Sequence, residues 1–151
     1  MINGDNNGTI LIDSTVSGGG TIDKSSSSQI EVLVGANNVS NQIYAGSGGS
    51  TLWGGAGGAD TLTGGAGFDE FIYTSGSGSD VIRNAGDNDV VNLAGINLSQ
   101  IVDASVSENG VEATFQDGGR LRVEGNSNVG FQLEGVTYCA NRADGSWEVR
   151  N

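Results

Sequence analysis

The chain has no histidine, no proline, one cysteine and only six basic residues, and each shortage removes a class of answers. Without histidine, His-dependent catalytic triads and His-ligated zinc are excluded. With Cys139 alone, no intramolecular disulfide can form, and the residue reads as a small apolar side chain in a strand of the last segment. Six Lys and Arg against eighteen Asp and Glu leave a formal net charge of −12, which repels phosphate backbones and anionic membrane surfaces. Neither nucleic-acid binding nor membrane insertion is therefore expected.

Long apolar runs are also missing. No stretch approaches the roughly 20 apolar residues of a membrane span. The first thirteen residues, MINGDNNGTILID, lack the basic start and apolar core of a secretory signal peptide. The expectation is a cytoplasmic chain, or one that leaves the cell by a route that does not read an N-terminal signal. No sustained 3.6-residue period occurs; the best helical stretch, residues 98–102, is short and has no clear cap.

What the chain has instead is glycine, 27 copies of it. A flexible linker would be glycine-rich too, but would lack the Val, Ile, Leu and aromatic residues that recur here every few positions. A length of 151 residues without a break in composition predicts one folded, all-β domain spanning residues 1–151.

The organising stretch is residues 45–91, AGSGGSTLWGGAGGADTLTGGAGFDEFIYTSGSGSDVIRNAGDNDVV. Asp60, Asp69, Asp80 and Asp89 mark time along it at near-regular intervals, and two places beyond each stands a large apolar residue: Leu62, Phe71, Ile82 and Val91. Counting back by nines from Asp60 puts Thr51 and Gln42 in the aspartate slot, and Trp53 and Tyr44 in the apolar one. The apolar column thus begins before the acidic one.

This pattern resembles the RTX (repeats-in-toxin) nonapeptide G-G-x-G-x-D-x-U-x, in which U is a large apolar residue. The match covers residues 46–91, about a third of the chain. It departs at Ala56 and in the last two units, SGSGSD and NAGDND. The resemblance implies a calcium-binding parallel β-roll in which two nonapeptides make one coil. Tyr44, Leu62 and Ile82 would then line one inner wall, and Trp53, Phe71 and Val91 the other. Each unit is too short to fold alone and must bury its apolar residue against its neighbours.

Calcium takes about six to eight oxygen ligands from carboxylates, carbonyls and water. Stacked glycine-rich turns could supply them, because glycine tolerates the φ angles that turn carbonyls inward. The expected metal set is Asp60 with Asp80 and Asp69 with Asp89. Carbonyls from residues 55–59, 64–68, 75–79 and 84–88 would complete it, among them those of Gly55, Gly57, Gly58, Gly64, Gly67, Gly76 and Gly78. A weaker third site would pair Thr51 with Asp69, and Asp87 would assist the second site or face water. The resemblance further implies a structural module of an exported bacterial protein that folds on meeting calcium outside the cell, with type I secretion as the route. The chain's end, GSWEVRN, lacks the aspartate followed by three apolar residues that some members carry.

Outside the run, residues 1–45 hold short strand-like bursts at 9–12, 21–22 and 30–34, with turns at 18–20 and 25–28, and would form irregular first coils. The calcium repeats occupy 46–92. In 93–151, Asn109-Gly110, Asp117-Gly118 and Asp144-Gly145 signal hairpin turns between strands around 111–115, 121–123, 131–133, 136–138 and 147–149. These strands would cap the open end of the roll with antiparallel hairpins. Enzyme activity is not expected: Glu31 and Glu70 read as exposed strand residues, and Tyr44 and Trp53 as core. The competing reading is a carbohydrate-binding or adhesive module, with polysaccharide or a larger parent protein as further candidate partners. Its only basic cluster would be Arg120, Arg122 and Arg142, read as solubilising.

Overall fold

The computed structural model describes residues 8–11 (backbone only), 19–126, 128–140, 144 and 146–150. Ile12, Gly18, Arg142, Gly145 and Asn151, which enter the expectations above, lie outside the described residues. Short strands alternate between two sheets because each apolar burst is only three to six residues long and is followed by glycine, serine or asparagine. Strands β1 (Gly8–Leu11), β3 (Glu31–Val34), β5 (Ser50–Trp53), β7 (Asp69–Thr74) and β9 (Val90–Ala94) stack in parallel in one sheet. Strands β2 (Thr21–Asp23), β4 (Gln42–Tyr44), β6 (Thr61–Thr63) and β8 (Ser79–Arg83) stack in parallel in the other. The result is a parallel β-solenoid of about four turns, the roll expected from the repeat.

The register makes the core a pair of ladders. Ile22, Ile43, Leu62 and Ile82 align across successive strands of one sheet, and Leu33, Leu52, Phe71 and Val91 across the other. All eight are fully buried. Leu62, Phe71, Ile82 and Val91 stand where the repeat predicts. Tyr44 and Trp53 do not: they are half-buried on the outer faces of opposite sheets, and Ile43 and Leu52 take the inner positions.

The slip has a simple origin. Five residues, 45–49, connect Tyr44 to Ser50, but six, 54–59, connect Trp53 to Asp60, so backward counting by nines goes out of step by one. Positive φ at Gly55, Gly57 and Gly58 folds the extra residue into the turn without disturbing the strands. In strand geometry a shift of one residue exchanges inner and outer faces.

After β9 a short 3-10 helix (Leu98–Gln100) precedes β10 (Ile101–Ser107), β11 (Gly110–Phe115) and β12 (Arg120–Glu124), joined as antiparallel neighbours. Strand β12 lies parallel on β8, and β13 (Gly130–Leu133) parallel on β9. The roll therefore continues one coil into the region read as a cap. Val123 and Phe131 extend the two apolar ladders. Beyond them, β14 (Val136–Ala140) and β15 (Trp147–Val149) are antiparallel. Tyr73 stacks on Phe115 at 4.8 Å, and Phe131 meets Trp147 edge-on at 5.3 Å, so aromatic side chains close the end of the roll.

Truncating a ladder residue leaves a cavity between sheets that cannot collapse. Leu52→Ala is expected to cost about 2–5 kcal/mol in urea denaturation, whereas Thr51→Ala, on the half-exposed outer face, should cost less than about 0.5 kcal/mol. Equal effects would argue against this register.

Candidate functional site

At or beside the first residue of each strand from β3 to β9 stands a buried polar residue. In one column these are Asn41, Asp60 and Asp80; in the other, Glu31, Ser50, Asp69 and Asp89. All seven are buried. The aspartate slot in the two earlier units is thus held by Asn41 and Ser50. Gln42 is exposed, and Thr51 lies opposite Glu70 on the outer face.

Successive members of each column are joined by one recurrent hydrogen bond. The backbone amide of a corner residue donates to the carboxylate of its counterpart one coil later: Asn41 to Asp60 Oδ1 at 2.7 Å, Ser50 to Asp69 Oδ1 at 2.8 Å, Asp60 to Asp80 Oδ1 at 3.0 Å and Asp69 to Asp89 Oδ1 at 2.9 Å. The spacing is 19 residues for the first two and 20 for the last two. The expected pairs, Asp60 with Asp80 and Asp69 with Asp89, are therefore stacked neighbours.

The two pairs differ in how their second oxygens are used. Asp69 Oδ2 accepts from the Gly65 amide at 2.7 Å, and Asp89 Oδ2 from the Gly86 amide at 2.6 Å. Asp60 Oδ2 and Asp80 Oδ2 are buried with no hydrogen-bond partner. Glycine makes room for these groups. A Cβ at Gly54 would lie 2.2 Å from Asp60 Oδ2, and one at Gly64 3.0 Å from Asp69 Oδ2.

Several turn carbonyls singled out by sequence serve the stacking of the coils. Those of Gly58 and Gly76 accept from Ser79 N and Gly57 N; that of Gly64 accepts from Asn84 Nδ2; that of Gly78 accepts from Arg120 N and Tyr73 Oη. Gly55, Gly57, Gly58, Gly76 and Gly78 have positive φ. Gly67 packs so close to the turn before it that a Cβ would lie 2.5 Å from Gly49 N. Asp87 is exposed and bonds Asn126 Nδ2 at 3.1 Å. Among the described residues no three acidic or cysteine side chains converge; the carboxylates meet in pairs.

Glu31, read from sequence as exposed, is fully buried against an equally buried Lys24. The ammonium lies 2.9 Å from Glu31 Oε1, an ion pair by distance without hydrogen-bond alignment. Ser27 Oγ donates to the same oxygen at 3.3 Å. Sequence reasoning missed this pair because neither residue belongs to the glycine-aspartate pattern. The signal was the seven-residue spacing across a serine run. Glu70 is half-buried and accepts from Asn92 at 2.8 Å. Arg120 and Arg122 share an outer face, facing Glu112 and Glu124 at 3.4 Å each, and Tyr44 and Trp53 stand on different sheets.

Burial raises the Asp60 and Asp69 carboxyls to about 6, and the Asp80 carboxyl to about 7. The like charge of Asp60 adds to the shift at Asp80, and that of Asp89 to the shift at Asp69. Exposed Asp117 is shifted the other way, lowered by the amides of Gly119 and Gly76. The arrangement chemically suits either protons or a hard cation that binds oxygen.

Two outcomes follow. Lys24→Met strands a buried carboxylate and is expected to cost about 3–5 kcal/mol by thermal or urea denaturation. In chelating buffer, the raised carboxyls keep protons that the unfolded chain releases from about pH 4 upward, so their contribution to stability is complete near pH 4 and lost as pH rises to about 7. The melting temperature in chelator should be higher at pH 5 than at pH 8; the opposite order would contradict the buried placement.

No family model, curated protein or solved structure matches the chain.

Proposed function

We propose that the chain is a calcium-binding β-roll module whose acidic coils are completed by calcium held at the stacked aspartate corners. The observation that carries the reading is the Asp60–Asp80 pair: adjacent buried carboxylates, each with an oxygen lacking any partner, and no buried cationic side chain beside them among the described residues. Two uncompensated carboxylates out of water are costly, and a divalent cation with a preference for oxygen removes that cost. Asp69 and Asp89 form the second candidate position, with turn carbonyls as neutral ligands. Calcium would supply charge neutralisation and cross-linking of successive turns. The chain's own part is to hold the carboxylates inside turns where Gly54 and Gly64 leave space for them.

On this reading stability is linked to metal, since a ligand that binds the folded state alone pulls the folding equilibrium toward it. Extracellular calcium modules bind at about 10⁻⁴ to 10⁻³ M. Such a module would be loose where calcium is scarce and complete outside the cell, which supports an extracellular location and a structural role in an exported protein.

Calorimetric titration of the chelator-treated protein with calcium chloride is expected to give two calcium ions per molecule, accompanied by a gain of β signal in circular dichroism. Asp80→Asn should reduce the count to one. Absence of heat and of spectral change at about 10 mM calcium, well above that affinity range, would rule the function out.

A further inference from the structure

The interior of the roll is divided by charge. In the earlier coils the buried corner groups are Glu31, Asn41 and Ser50, and the single negative charge is met by Lys24. In the later coils they are Asp60, Asp69, Asp80 and Asp89, with no buried cationic side chain among the described residues to meet them.

Register shows what Lys24 does. It follows β2 directly, and the equivalent positions on the neighbouring strands of that sheet are Ala45, Gly64 and Asn84. At Gly64 a side chain would run toward Asp69 Oδ2. In the first of these turns a side chain does stand there, and its ammonium meets Glu31, the counterpart of Asp69 in the column. Lys24 thus brings a positive charge to the place that, two coils later, faces the Asp69 carboxylate, which is met only by backbone amides.

Asn41 does the equivalent in the other column. Its Nδ2 lies 2.9 Å from Ala36 O, 3.2 Å from Val39 O, 2.9 Å from Gly54 O and 2.8 Å from Asp60 Oδ1. Its own Oδ1 accepts from the Ala36 amide at 3.3 Å, which orients the group. An amide nitrogen has two hydrogens, so four oxygens surround a donor that can serve only two of them well. Three carbonyls and a carboxylate gathered around one point resemble the oxygen shell of a hard cation, here filled by a side chain.

We propose that Lys24 and Asn41 are chain-supplied substitutes for the cation, so that residues 20–53 close into coils without metal and present a finished edge on which the metal-dependent residues 54–90 fold. This rests on the calcium reading of the aspartate corners and adds a direction to it: order spreads from the neutral coils into the acidic ones. It also assigns a latent site, between residue 41 and Asp60, that one side-chain atom keeps closed to metal.

The test uses the full chain, in chelator and in calcium chloride, by hydrogen exchange read by segment. Amides in 21–53 should be protected in both conditions, differing by less than about threefold, while those in 60–90 gain at least about tenfold on adding calcium. Asn41→Asp is then expected to raise the calorimetric count by one calcium per molecule and to make amides in 35–45 calcium-dependent. An unchanged count, a variant that stays unfolded in saturating calcium, or wild-type protection that rises equally in both segments would overturn the substitution. A wild-type protein that takes up no calcium would overturn the calcium reading itself, a result distinct from wild-type binding without the extra site.

Discussion

Everything in this structure depends on what happens to the backbone amide at each corner of the roll. Where the chain leaves a turn and enters a strand, the corner N–H is buried and points along the stack, and a buried amide without an acceptor is costly. The solution is a carboxylate one coil later, pointing back into its own turn, repeated at Asn41, Ser50, Asp60 and Asp69. That bond ties successive coils together and buries the carboxylates of Asp60, Asp69, Asp80 and Asp89. Glycine at the opposite side of the turn follows from the same need, since at Gly54 any Cβ would occupy the space of the carboxylate.

Burying polar corner groups creates the second problem, and the chain meets it differently along its length. Lys24 answers Glu31 within the protein, and Asn41 and Ser50 avoid the charge altogether. From Asp60 onward four carboxylates remain, two of them with an oxygen that touches no donor. Burial favours the protonated form and raises the carboxyls of Asp60, Asp69 and Asp80 to about 6 to 7. On the proposed function calcium replaces those protons, and the same acidic corners that cap the amides become the metal ligands. Structural role and metal role are then two uses of one side chain.

The end of the roll follows from its two-sheet interior. Strands β12 and β13 carry the apolar ladders one coil further through Val123 and Phe131. The chain then turns antiparallel, and Tyr73, Phe115, Phe131 and Trp147 fill the opening. Asn109-Gly110 and Asp117-Gly118 announced two of these reversals. A third, at Glu134-Gly135, where both residues have positive φ, falls in the gap between the strands read at 131–133 and 136–138 but carries no turn signal of its own, because Glu is an unusual occupant of a left-handed turn position. The turn is held by pairing of β13 with β14 rather than by local preference.

Period alone determined a good deal: short β-branched strands, glycine-rich turns, an aspartate two places before each apolar residue from Asp60 to Val91, and hence a stack of coils whose acidic residues pair two units apart. These are local or near-local features, legible because side chains alternate along a strand and glycine marks the turns. Tertiary structure decided the rest. It placed Ile43 and Leu52 inward and Tyr44 and Trp53 outward, since one extra residue in the turn at 54–59 changes the face but not the composition. It buried Glu31 against Lys24 and surrounded the Asn41 amide with oxygens from three different turns and strands. Which polar residue faces inward, and which donor or charge it meets there, depends on how a turn closes on itself and on corner neighbours 19 or 20 residues away, rather than on the repeat pattern.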